Sequence, residues 1–390
     1  MKENKKILMV AYTNYLTDAR PRREAETLAA RGDEVDFISL AEKCHPSEEV
    51  INGVRVLRLS MVRYRGAGGL KYVLSYLKFF NKASIKVVSL YIAKRYDVIH
   101  IHTMPDFLVF VAIVPKLLGA RVILDVHDMM PELYMSKFGI KESHWFIKLI
   151  KLQEFVSTGF ADRVICVHDL HKKVLLERHS SLKSLTVLLN VPDPNVFGEL
   201  SQVKKINCMH PKFIYHGTIS RRLGLDLALE AFDTVLQVLP DARFNIYGDG
   251  DCADEIEEYI RLLKISGSVY FSKEFFRVEE IPQLVNESTI GIIPNRQDQA
   301  TEYMLPVKLL EYVYLGVPVA APRLKTISYY FTEESIAFYE PGNVKQLADV
   351  LIMLSNDPDR CFHMAQHAQD CIRELSWLTI KGSLFKIVDN

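Results

Sequence analysis

No apolar stretch of this chain is long enough to cross a bilayer. The longest, Phe107 to Val114, stops at Pro115 and Lys116, far short of the roughly 20 residues a spanning helix needs. The run near the start, Ile7 to Tyr12, is too short for the core of a secretory leader, although Lys2, Lys5 and Lys6 precede it. The six cysteines, Cys44, Cys166, Cys208, Cys252, Cys361 and Cys371, contain no C-x-x-C pair, so neither a zinc site nor a disulfide frame is signalled and the usage is that of a reduced compartment. The opening β-α-β segment has no glycine-rich dinucleotide fingerprint, which argues against a nicotinamide enzyme. Acidic residues are missing from Ile51 to Tyr96, where ten basic residues stand. Such a stretch suits phosphates or an anionic membrane surface, and suits equally a solvated basic face.

What is present is the balance of a globular enzyme, with 49% hydrophobic and 25% charged residues over 390 positions, enough for two domains. The net charge of zero hides an asymmetry: residues 1 to 200 hold 29 Lys and Arg against 22 Asp and Glu, and the remainder 19 against 26. Short apolar segments alternate with helical stripes throughout. Strands are expected at 7–11, 34–40, 54–59, 98–102, 121–126, 163–167 and 185–189, and a second alternation at 213–216, 243–247, 269–272, 290–294, 317–321 and 336–339. Tyr72, Tyr76, Phe79 and Phe80, interleaved with Lys71, Lys78, Lys82 and Lys86, fit a helix lying on a membrane or one facing the core.

The most informative stretch is Glu302 to Ala321. Pro306 can open a helix and Gly316 can close it. Lys308 and Glu311, three residues apart, fall near one face at its start. A cation beside a helix N-terminus suits a phosphate, and a carboxylate one turn on suits a pair of sugar hydroxyls. The competing reading is an ordinary ion pair on a solvated helix.

The pattern P-x-K-x-x-E-Y-x-x-x-G-x-P-V, from Pro306 to Val319, resembles the donor-binding segment of retaining glycosyltransferases of family 4. The resemblance implies an α/β chain of GT-B fold, with two Rossmann-like domains facing a cleft: an acceptor-binding domain at 1–200, a nucleotide-sugar domain at 201–375, and a last segment, 376–390, crossing back. It implies that Glu311 holds the nucleotide ribose. The family's other glutamate falls eight residues earlier, where this chain has Tyr303, with Glu302 one position off register. Either Glu302 swings in from the preceding loop or the sugar is bound without that carboxylate.

Further segments extend the resemblance. D-V-H-D-M-M-P-E, Asp125 to Glu132, is similar to the family element that brings a histidine, here His127, to the donor sugar, with Asp128 beside it in the cleft. The run from Asp18 to Ala25 resembles the first loop and helix of members that build bacterial polysaccharides, and Arg20, Arg63 and Arg65 are the expected acceptor-side cations. Gly217, Arg221 and Arg222 sit where the family cradles pyrophosphate, with Arg222 the favoured charge because Thr218 and Leu223 occupy the usual basic positions. Asp249 and Asp251 look like a D-x-D metal motif but read as a G-D-G turn and a helix cap; no metal or other cofactor is expected.

The resemblance thus implies a retaining, metal-independent transfer of a sugar, most simply from a UDP-sugar, to a hydroxyl of a glycan acceptor on a lipid pyrophosphate, in surface polysaccharide synthesis. Arg222, Lys308 and His127 would carry it, and the basic stretch from Ile51 to Tyr96 makes a cytoplasmic protein peripheral on the inner membrane face the expectation. Nucleic acid is not an expected partner. A sugar-nucleotide epimerase of the same fold and a nucleotide-sugar-binding scaffold without catalysis are the alternatives.

Overall fold

The computed structural model describes residues 4–42, 45–62, 69–180, 182, 184–200, 203 and 210–390, with 69, 70 and 72 described by backbone alone. Arg63 and Arg65, and most of the polar stretch from Ser201 to Pro211 expected to link the two domains, lie outside the described residues. The chain folds as two compact units, Met1–Asn190 with Ile380–Asn390, and Val191–Thr379. The division falls ten residues before the boundary expected at 200. Among the described residues no helix is long and apolar enough to cross a membrane.

The first unit is built on an eight-stranded sheet: β1 (Lys6–Ala11), β2 (Glu34–Leu40), β3 (Glu48–Ile51), β4 (Val54–Leu59), β5 (Val98–His102), β6 (Arg121–Val126), β7 (Arg163–Cys166) and β8 (Leu185–Val187). Their order is β3-β4-β2-β1-β5-β6-β7-β8, parallel except for β3 against β4. β1, β2, β5 and β6 are buried almost end to end, as parallel strands covered by helices on both faces must be. β3, absent from the sequence reading, forms a hairpin with β4 across Asn52 and Gly53, whose φ of 47° and 83° suit the N-G pair. The last helix, Trp377–Asp389, ties to this unit: Arg31 pairs with Asp389 at 3.0 Å and stacks on Phe385, and Arg163 donates to the Asn390 carbonyl.

The second unit holds six parallel strands: β9 (Lys212–His216), β10 (Arg243–Tyr247), β11 (Val269–Phe271), β12 (Ile290–Ile292), β13 (Val319–Pro322) and β14 (Ala337–Tyr339), ordered β11-β10-β9-β12-β13-β14. Its core gathers Phe213, Phe232, Phe244, Ile246, Leu347 and Leu351 between sheet and helices.

Each sheet reverses direction once, between β1 and β5 in the first and between β9 and β12 in the second. Ligands of doubly wound sheets bind beyond the carboxyl ends of strands at such a switch point. Helix Gly69–Lys94 settles one ambiguity: Tyr76 and Phe79 are buried in the core, Phe80 is half-buried, and the side chain of Tyr72 is not described. The aromatic stripe therefore faces the sheet.

Candidate active site

In the second unit β9 ends at His216, and Gly217 follows with φ of 104°, its N–H donating to the Tyr247 carbonyl. The loop to Gly224 lies directly on the G-D-G turn. A Cβ on Gly248 would come 1.9 Å from the Gly217 carbonyl oxygen, and one on Gly250 would come 2.2 Å from that of Ile219. Glycine at both positions is what lets the two loops touch. Asp249 accepts from the Gly250 N–H within the turn, while Asp251 is exposed and does not cap the next helix, whose N-cap is Cys252.

Helix Val307–Tyr314 brings Lys308 to this loop. Its ammonium end is buried, makes no hydrogen bond, and lies 3.5 Å above the centre of the Tyr215 ring and 3.6 Å from where a Gly217 Cβ would be. Burial pushes the Lys308 amine down to about 7, the Glu311 charge opposing and the Arg222 charge adding to that shift. Glu311 is turned to the end of β9, where its carboxylate meets His216 Nε2 at 3.1 Å. The ordinary solvated ion pair is not what the helix presents. Arg222 is half-buried with its Nε unpaired, whereas Arg221 is exposed. Arg296 makes a doubled hydrogen bond with Asp226 at 2.6 Å and donates its own N–H to the Arg222 carbonyl, fixing the loop that carries Arg222.

Glu302 is buried, and both its oxygens have partners: Gln297 Nε2 at 2.6 Å and the Lys325 N–H at 2.9 Å. It anchors its own loop to the helix Lys325–Tyr330.

In the first unit the ends of β1, β5 and β6 surround a cavity of about 110 Å³ lined by Tyr12, Thr13, His102, Thr103, His127 and Asp128, among others. His127 Nε2–H donates to Asp125 Oδ2 at 3.0 Å, and the His127 N–H donates to Thr103 Oγ1. Asp125 is fully buried and receives Arg20 on both oxygens, at 2.9 and 2.8 Å, with His102 Nδ1 at 3.2 Å. Burial opposes the charge on Asp125, but Arg20 and His127 hold its carboxyl well below the usual range. Burial acts to lower His127, and the Asp125 charge and hydrogen bond together more than offset it, so the imidazole is raised.

Arg20 is 2% exposed, and its remaining nitrogen donates to the Leu188 carbonyl. It meets Asp125 and the backbone where an acceptor-side cation was expected. Atoms of Glu24, His100, His102 and Asp125 come within 4.8 Å of one another, a spacing a metal could use. Arg20 already supplies the positive charge, pairing with Asp125 and lying 3.4 Å from Glu24, so this set does not fit an added cation.

Sequence reasoning missed Tyr215, His216 and Asp125. His216 directly precedes the glycine it singled out, and Asp125 stands two residues before His127, so both were within reach of the motifs.

Two family models match. The one described as "Glycosyl transferase 4-like domain" covers residues 18–187, and "Glycosyl transferases group 1" covers 210–357. Together with the fold they place the chain among glycosyltransferases of GT-B architecture. The epimerase and scaffold alternatives are not what these matches favour.

Among curated relatives, the chitobiosyldiphosphodolichol beta-mannosyltransferase of Candida albicans is 21% identical over 71% of this chain and 64% of its own length. The sulfoquinovosyl transferase of Arabidopsis thaliana is 20% identical over 72% and 54%. An uncharacterized glycosyltransferase of Haemophilus influenzae is 18% identical over 56% and 58%. The chain thus spans less than two thirds of each of these relatives. Among solved structures, sucrose-phosphate synthase from Thermosynechococcus elongatus superposes with a TM-score of 0.76 at 16% identity, over 98% of both chains. HepE of Anabaena in complex with UDP and glucose gives 0.70 at 15%, over 98% of this chain and 99% of that one.

Proposed function

We propose that this protein is a retaining glycosyltransferase that moves a sugar from a UDP-sugar to a hydroxyl of a lipid-pyrophosphate-linked glycan in surface polysaccharide synthesis. The observation that carries the reading is the buried, unpaired Lys308 amine beside Arg222, at the carboxyl end of β9 and the second sheet's switch point. Burial disfavours the charge on this amine and the Arg222 charge adds to that, so a diphosphate bound here restores the amine's proton and gains charge-assisted hydrogen bonds.

In this reading Lys308 and Arg222 neutralise the departing diphosphate, the charge that grows as the glycosidic bond breaks. Glu311, whose carboxylate lies against His216, accepts from the ribose hydroxyls. In the first unit, Asp125 fixes the His127 tautomer with hydrogen on Nε2, so Nδ1 is the nitrogen left to meet a hydroxyl of the donor sugar. With Glu302 committed to Gln297 and Lys325, the sugar is held without the family's first glutamate. The diphosphate is met by protein cations, so the reaction runs without metal. The protein works at the inner face of the cytoplasmic membrane, where a lipid-linked acceptor is presented.

The test is a thermal-shift panel of UDP, GDP, ADP and their sugars, followed by assay of the stabilising donor with lipid-linked acceptors. A ligand that binds only the folded state raises its stability as RT ln(1 + [L]/Kd). UDP and one UDP-sugar should give the largest shifts, and the product should keep the donor's anomeric configuration. No shift with any nucleotide would end the reading.

A further inference from the structure

Three helical segments lie side by side over the first sheet: Gly69–Lys94, the pair Asp106–Ala112 and Ile113–Leu117, and Trp145–Phe160, the middle pair touching both neighbours. Each buries a stripe, with Phe79, Ala83 and Val87 on the first, Leu108 and Val109 on the second, and Ile147 and Ile150 on the third. The outward stripes of such helices are ordinarily polar. Here they are not. Ile85 is 74% exposed, Leu117 81% and Trp145 69%, and Leu74, Leu77, Leu149 and Leu152 are exposed beside them. Trp145, Leu149, Leu152 and Val156 recur at spacings of four, three and four along one helical face.

The charges on this layer have one sign. Lys71, Lys78 and Lys148 are exposed, while the carboxylates on these segments, Asp106 and Glu154, are each 1% exposed. Lys94, Lys116 and Lys151 pair with carboxylates from outside the layer. A second copy of the chain on this face would set the patch against itself, lysine facing lysine. An anionic bilayer satisfies both features at once, because apolar side chains enter the headgroup boundary while lysines meet phosphates.

We propose that the outer face of this helical layer docks the protein on an anionic lipid surface, through aliphatic side chains and Trp145 on the helices 69–94 and 145–160. The proposal deepens the membrane reading above and replaces its expected contact residues, since Tyr76 and Phe79 face inward. An acceptor on a lipid carrier would be presented at the same surface.

The experiment is flotation of the full chain with vesicles of phosphatidylcholine alone and of phosphatidylcholine with phosphatidylglycerol, at low and high salt. Wild type should float with the anionic vesicles at low salt. Leu149→Gln with Leu152→Gln, and separately Lys78→Gln with Lys148→Gln, should lower the bound fraction several-fold. Both variants should keep the UDP thermal shift, which also shows that they fold. Equal binding to both vesicle types, or no loss in either variant, overturns the proposal. So does a dimer in light scattering that Leu149→Gln with Leu152→Gln dissociates, which would make a second copy the occupant. Failed flotation with a normal UDP shift sinks the docking alone, and normal flotation without a UDP shift sinks the donor reading alone.

Discussion

Lys308 makes the sharpest prediction at the scale of a residue. Its amine is pushed by burial to about 7 from 10.5, so at pH 8 the free protein holds it mostly neutral, and a diphosphate must bring back its proton. UDP affinity should fall as pH rises above 7, by up to tenfold per unit, and isothermal titration in buffers of different ionisation enthalpy should report proton uptake. Folding stability runs the other way: between pH 7 and 10.5 the unfolded chain holds the proton that the folded chain releases, so this residue's contribution rises with pH. Lys308→Met should abolish the proton uptake and weaken UDP by about 2 kcal/mol, the scale of one charge-assisted hydrogen bond. A pH-independent affinity in wild type would refute the assignment. Arg20 carries a second prediction. Arg20→Met leaves Asp125 buried without its bidentate partner, which should cost roughly 3–5 kcal/mol and appear as a lower unfolding midpoint in calorimetry. Lys308 and Glu311 were legible because their spacing and the neighbouring proline and glycine form a local pattern. Arg20 was legible as important but not as buried, because its partner lies 105 positions away.

At the scale of the element, the contact between the Gly217 loop and the Gly248–Gly250 turn decides whether the cation pair is held in place. Gly248→Ala would drive a methyl group into the Gly217 carbonyl, and should remove the UDP thermal shift while the second unit still unfolds cooperatively. Gly267→Ala, with nothing within 4 Å of the new methyl, should leave the shift unchanged. Strands of the parallel core were readable as short apolar runs, since burial on both faces leaves little polar alternation to confuse them. Helix Gly69–Lys94 was harder: a repeat of aromatics and lysines shows that two faces differ, and only packing against β1 and β4 shows which is inside. β3 was missed because its burial pattern alternates exposed and half-buried residues, although the N-G turn beside it was available as a hairpin signal.

For the whole molecule, activity is expected to persist in excess EDTA. Loss in chelator, restored by magnesium or manganese, would return Asp249 and Asp251 to consideration as ligands. The order of motifs along the chain made the two-sheet plan legible, whereas the last helix's allegiance could be inferred only from family resemblance, because nothing local in 377–389 names its partner. That allegiance has a consequence for synthesis. Domains generally form as the chain emerges, the N-terminal one first, but residues 380–390 complete the first unit after 191–379 have already left the ribosome. The unit begun first is finished last. Newly made chains should therefore pass through a stage with a nucleotide-competent second unit and an unfinished first one, and truncation at Thr379 should lower only the first unit's unfolding midpoint. Pulse proteolysis of ribosome-arrested chains would reveal that order.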